Sequence, residues 1–116
     1  MTLPNAERAI VPWSKVVAYL LSPTHPRGRH KARFFARFGF AQDRYDVFAA
    51  ALREHAMRSD VVEVTDTPLG TRYTVEGPIV SPDGRNPNVR VVWFTERGEA
   101  VPTLVTAYPL QKREYP

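Results

Sequence analysis

A chain of 116 residues, 43% apolar and 24% charged, has the composition of an ordinary folded domain that buries roughly two-thirds of its surface without staples. It has no cysteine, which excludes a disulfide framework, a thiolate nucleophile and any Cys-based zinc or iron–sulfur site. The net charge of +4 is modest, so its placement says more than its size.

Residues 1–13, with Pro4 and Pro12 among short apolar patches, read as an extended arm that adds an edge strand or lies as a lid over the core. Helices are expected over 14–21, 29–38 and 43–58. Ser14 is the expected N-cap of the first, which closes at Ser22-Pro23 because proline disfavours helical geometry in the residue before it. Gly39 is a natural stop for the second, and Asp43 caps or opens the third, where Tyr45, Phe48, Ala49, Leu52 and Ala56 recur at helical spacing. His55 is read onto the polar side of that helix, at the surface. From Ser59 onward the apolar period changes to two, predicting strands over 61–65, 72–80, 89–95 and 104–110. Their connections are too short for crossover helices, so the sheet is expected to be mostly antiparallel. The expected fold class is therefore α+β: N-terminal helices packed on a four-stranded sheet, one domain over 1–116.

No apolar run approaches the roughly 18 residues of a membrane span, and the opening residues lack a signal-peptide core, so a cytoplasmic location is expected. The strongest anomaly lies at 25–37, which holds five of the sixteen Lys and Arg, two of the three His and no acid. On a helix, Arg29, Arg33 and Arg37 form one cationic stripe bordered by His30, while Ala32, Phe35 and Phe38 lie on the anchoring side. Repulsion along the stripe costs a few tenths of a kcal/mol per pair. Free N–H groups from Gly28 to Lys31 and the positive helix end favour an anion there. A solvated face is an equally good reading of the arginines. In the last strand, alternation puts Thr106 and Tyr108 on one face and Val105 with Ala107 on the other, and Trp93 and Phe94 point to opposite faces, so only one belongs to the core. Two histidines five apart, among cations and without a nearby acid, do not make a metal site, and no nucleotide loop or nucleophile elbow is present. Neither metal nor cofactor is expected.

The stretch from Leu20 through Ser22-Pro23-Thr24-His25-Pro26-Arg27-Gly28-Arg29-His30-Lys31-Ala32 to Phe35, with Leu104-Val-Thr-Ala-Tyr-Pro109, resembles a bacterial family of small domains of unknown function. Their signature is His-Pro-x-Gly-x-x-Lys-Ala-x-x-Phe. It is similar to the toxic tips of polymorphic toxins and, in layout, to the metal-independent ribonucleases of the barnase–EndoU–colicin–RelE group. The resemblance falls on His25, Gly28, Lys31 and Phe35, and on Thr106 and Tyr108. It implies a toxin-type domain that cleaves or binds RNA, a metal-independent endoribonuclease, with RNA and a protein such as an antitoxin or immunity protein as partners. In that reading His25 or His30 transfers protons, and Lys31, Thr106 and Tyr108 complete the catalytic set. Arg27, Gly28, Arg29, Lys31, Arg33 and Arg37 hold phosphate. A non-catalytic protein- or RNA-interaction module is the alternative. Convergence of His25, Lys31 and Thr106 on one cleft separates the two.

Overall fold

The structure, a computed structural model, describes residues 1–110. Three helices precede a four-stranded antiparallel sheet. Helix α1 begins as an α-turn, Trp13–Lys15, and continues as a π-helical segment, Val16–Leu20. Helix α2 is Arg29–Arg37 and α3 is Tyr45–Arg58. The strands β1 (Asp60–Thr67), β2 (Gly70–Pro78), β3 (Asn88–Glu96) and β4 (Thr103–Pro109) pair in chain order as a meander.

Local chemistry accounts for most boundaries. Gly39, at φ 98°, ends α2 in a Schellman motif, with Gly39 N–H donating to the Ala36 carbonyl (3.1 Å) and Phe40 N–H to that of Phe35 (3.2 Å). The ring of Phe40 then packs on Phe35 and Phe48, with centroids 6.0 and 4.9 Å away. Two expected caps are corrected. Pro12, extended at ψ 135°, precedes α1 and its carbonyl accepts from Lys15 and Val16, so Ser14 lies inside the first turn. At α3, Arg44 occupies the cap position and Asp43 makes no capping bond, because the preceding turn is closed by Arg44 N–H donating to the Ala41 carbonyl.

The core lies between the helices and one sheet face, where Phe35, Phe48, Leu52, Val75, Val91 and Trp93 are fully buried. Phe94, on the opposite face, is half-buried. His55 is corrected from surface to core. It is 2% exposed, its Nε2 lies 3.1 Å from the Gly77 carbonyl, and its Nδ1 has no partner. Burial works against the imidazolium and holds its pKa below the ordinary value of 6.5, although backbone groups at Gly77 and Val89 pull the other way.

The N-terminal arm covers the core with Leu3, Ala6, Ala9 and Val11. Ile10 forms an isolated parallel bridge to Thr103, its N–H donating to the Pro102 carbonyl (2.8 Å) while its carbonyl accepts from Leu104 (2.9 Å). At the other end of the arm the Met1 carbonyl accepts from Val61 (2.8 Å). The arm thus reaches both outer strands.

Candidate functional site

Strand β4 is an outer strand, and its pairing with β3 slips by one residue between the Thr106–Val92 and Leu104–Trp93 pairs. Val105 is the extra residue, so it does not share the core face with Ala107 as simple alternation predicts. Such a bulge twists a strand and re-aims its side chains. Thr106 lies on the sheet face opposite the core together with Tyr108, whose partner across the ladder is Arg90, and its hydroxyl still reaches Tyr19 of α1 and Lys31 of α2.

On the helical side, the Leu21 N–H reaches the Val16 carbonyl (2.7 Å), five residues back, in the wide turn that defines a π-helix. Such turns concentrate at functional positions because they change which side chains face a neighbour. Here the turn presents Tyr19. Gly28 is buried directly against the Tyr19 carbonyl, where a Cβ would sit 2.1 Å from the oxygen, so its role is close approach of α2 to α1. That approach carries Lys31 over the Tyr19 ring, with Nζ 4.7 Å from the centroid.

The result is a polar cluster. Lys31 Nζ donates to the Tyr19 hydroxyl and to Thr106 Oγ1 (3.3 Å), and the Tyr19 and Thr106 hydroxyls lie 3.4 Å apart. Partial burial pushes the Tyr19 phenol up. The hydrogen bonds from Lys31 and Thr106 and the charges of Lys31 and Lys15 outweigh it, so its pKa falls below the ordinary phenol value. The His25 ring packs edge-on against Tyr19, with centroids 5.0 Å apart and planes at 75°. A groove of about 630 Å³ opens here, lined by Lys15, Tyr19, His25, Arg27, Lys31 and Thr106 among others.

His25 is tightly placed. Its Nδ1 accepts the N–H groups of Arg27 and Gly28, both at 3.0 Å, and its carbonyl accepts that of Arg29. Two consequences follow. The hydrogen of the neutral ring resides on Nε2, leaving a donor as the free edge. The amides of Gly28 and Arg29 are also taken by His25, so two of the N–H groups that the sequence suggests for an anion, those from Gly28 to Lys31, already have a partner.

The remaining expected residues are dispersed. Tyr108 flanks Lys31, its ring centroid 5.9 Å from Nζ, and lies beyond the groove proper. Arg29 and Arg33 line a different hollow, of about 570 Å³, with apolar walls from Leu21, Ala32, Ala36 and Phe40. The stripe therefore exists, on a side of α2 turned away from Thr106. Arg37 is exposed, and its carbonyl accepts from Arg85 (2.5 Å). His30 is exposed in the first turn of α2 and lines neither hollow. Tyr19 is the residue that sequence reasoning missed. On a regular α-helix it falls outside the Val17, Leu20 and Leu21 face, and only the π-turn brings it to Lys31.

Among the described residues no three His, Asp or Glu side chains gather closely enough to share a metal ion, and no helix is long and apolar enough to cross a membrane.

No curated protein matches the chain. Among solved structures, one chain of a contact-dependent growth inhibition toxin–immunity protein complex from Klebsiella pneumoniae 342 superposes with a TM-score of 0.71. The match covers 88% of this chain and 100% of the other at 18% identity. That likeness establishes a shared fold. A family model matches residues 2–111, nearly the whole sequence, and the chain accordingly belongs to the family described as a domain of unknown function, DUF6883.

Proposed function

We propose that this domain is a metal-independent, RNA-cleaving domain of the toxin type, acting through Tyr19, Lys31 and Thr106 with His25 beside them. One observation carries the reading: Lys31 Nζ is hydrogen-bonded to both the Tyr19 and Thr106 hydroxyls inside an open groove that His25 also lines. A solvated cationic face has no need to bring a lysine, a phenol of lowered pKa and an edge-on imidazole together. Fold similarity to a chain of a toxin–immunity complex supports a place in an antagonistic system, with a protein partner such as an immunity protein or antitoxin.

The cluster suits transesterification at an RNA phosphate. The ribose 2′-oxygen attacks phosphorus while its proton passes to the Tyr19 oxygen, which must be in the deprotonated form that the Lys31 ammonium favours. The bond from phosphorus to the 5′-oxygen breaks, and that oxygen takes a proton from the Lys31 ammonium. A 2′,3′-cyclic phosphate and a free 5′-hydroxyl result. The Tyr19 hydroxyl then returns a proton to the Lys31 amine along their hydrogen bond, restoring both groups. Thr106 orients Lys31, while His25 Nε2–H and Arg27 face the charge that develops on the phosphate oxygens. His25 thus becomes a donor to phosphate, and His30 has no part in this scheme.

Incubation of end-labelled single-stranded RNA with the protein in EDTA is expected to yield fragments ending in 2′,3′-cyclic phosphate, with DNA of the same sequence left intact. Tyr19→Phe and Lys31→Met should each slow cleavage by roughly 10²–10⁴-fold, the usual worth of positioned proton transfer. Circular dichroism would verify that both variants fold. Uncut RNA, or variants that cut as well as the wild type, would replace this reading with the interaction-module alternative.

A further inference from the structure

Beyond Lys31 the groove does not end. A second hollow, of about 490 Å³, is walled by Lys31, Arg90, Tyr108, Pro109 and Leu110, and a third, of about 340 Å³, continues over the open sheet face past Tyr108, Arg90 and Glu76. Tyr108 forms part of the wall of both, a half-buried ring with open space against it. Two cations lie near it. Lys31 Nζ lies 5.9 Å from the ring centroid and Arg90 Cζ 5.7 Å.

Arg90 is itself fixed. Its guanidinium is paired with the Glu76 carboxylate and lies 3.4 Å from the Tyr108 hydroxyl, and both contacts raise its pKa. An immobilised arginine beside an accessible aromatic ring, on a sheet face, is the arrangement in which single-stranded nucleic acid is held: the ring stacks a base and the cation meets the backbone. Tyr108, Arg90 and Glu76 stand on successive strands β4, β3 and β2, so the path crosses the sheet over about 10 Å from Tyr108 to Glu76 at the usual strand spacing.

We infer that Tyr108 and Arg90 form a nucleotide subsite adjoining the Lys31 groove, with Tyr108 stacking an unpaired base and Arg90 contacting a phosphate of the same strand. The inference rests on the reading of the groove as an RNA site. It makes Tyr108 a substrate-positioning residue outside the proton-transfer set, and it makes the open sheet face part of the substrate path. A dinucleotide spanning the scissile phosphate does not fill the path, whereas a longer strand does.

The test separates binding from cleavage. Fluorescence anisotropy with a labelled hexanucleotide whose 2′-oxygens are methylated reads binding alone, since this probe cannot be cut. Tyr108→Ala is expected to weaken binding by roughly 5- to 150-fold, the usual worth of one stacked base, while Tyr108→Phe retains it. Arg90→Gln should lower the slope of log K against log salt by about one phosphate contact. An otherwise identical probe with abasic positions should bind the wild type and Tyr108→Ala equally. If Tyr108→Ala binds the full probe as tightly as the wild type, or if Tyr108→Phe loses as much as Tyr108→Ala, the subsite is refuted. If the wild type leaves RNA uncut while Tyr108→Ala still weakens binding of the full probe, the catalytic reading alone is refuted, so the two failures are distinguishable.

Discussion

Replacing Gly28 with alanine isolates the contact that assembles the site. The backbone at Gly28 (φ −91°, ψ −21°) is one that alanine adopts freely, so chain entropy alone favours the substitution by about 0.4–1 kcal/mol. Packing opposes it. The new Cβ would lie 2.1 Å from the Tyr19 carbonyl oxygen and 2.8 Å from its carbon. Backbone cannot swing aside like the end of a flexible side chain, so α2 must separate from the π-turn. Over-packing of this kind costs typically 1–3 kcal/mol, and a clash with main chain belongs at the upper end, leaving a net loss of about 2 kcal/mol. With an unfolding entropy near 2.1 cal/mol/K per residue, that lowers Tm by about 8 °C for a chain of 116 residues. Thermal unfolding followed by circular dichroism measures the shift. An equal or higher Tm for Gly28→Ala would mean that α1 and α2 do not meet as described, and the Lys31–Tyr19 contact would lose its support.

Three further outcomes are expected. Lys31→Met removes a hydrogen bond and a charge that favour the Tyr19 phenolate and leaves burial unopposed by them, so the Tyr19 pKa should rise; ultraviolet titration, with Tyr19→Phe as the blank, reads the direction. Because the His55 pKa is lowered on folding, the unfolded chain binds more protons once the pH drops below about 6.5; stability should be undiminished above that value and fall below it by up to about 1.4 kcal/mol per pH unit. Urea titrations at several pH values should show this slope removed in His55→Gln. Phe35→Ala empties the centre of the ring cluster with Phe40 and Phe48 and should cost about 3–5 kcal/mol, much of the stability of a domain this size, measured by its urea midpoint.

The architecture was largely legible because apolar period and turn residues act locally: the change from helical spacing to alternation near Ser59 is a change of element type, and Gly39 stops α2 as its freedom at positive φ requires. His55 was misjudged by its polarity, although its spacing of seven from Phe48 and three from Leu52 puts it on the buried stripe of α3. Lys31 and Thr106 were legible as members of two motifs, and their hydrogen bond was not, since it depends on the Val105 bulge and on which side of α2 turns toward β4. The same choice of side sends Arg29 and Arg33 to a separate hollow. Tyr19 was hidden by the one departure from regular helical geometry, which the pattern of Val17, Leu20 and Leu21 does not encode.

The arm and the bulged strand also order events in time. Ile10 bonds to the start of β4, more than ninety positions along the chain, and Thr106 meets Tyr19 and Lys31 across separations of 87 and 75 residues. Contacts this distant close late, because the entropy of the intervening loop must be overcome before they form. Helix α3 and the β1–β2 hairpin can take shape while the cluster is still in pieces. In refolding from denaturant, helical ellipticity should therefore return ahead of the perturbed Tyr19 phenol, whose recovery marks the docking of β4.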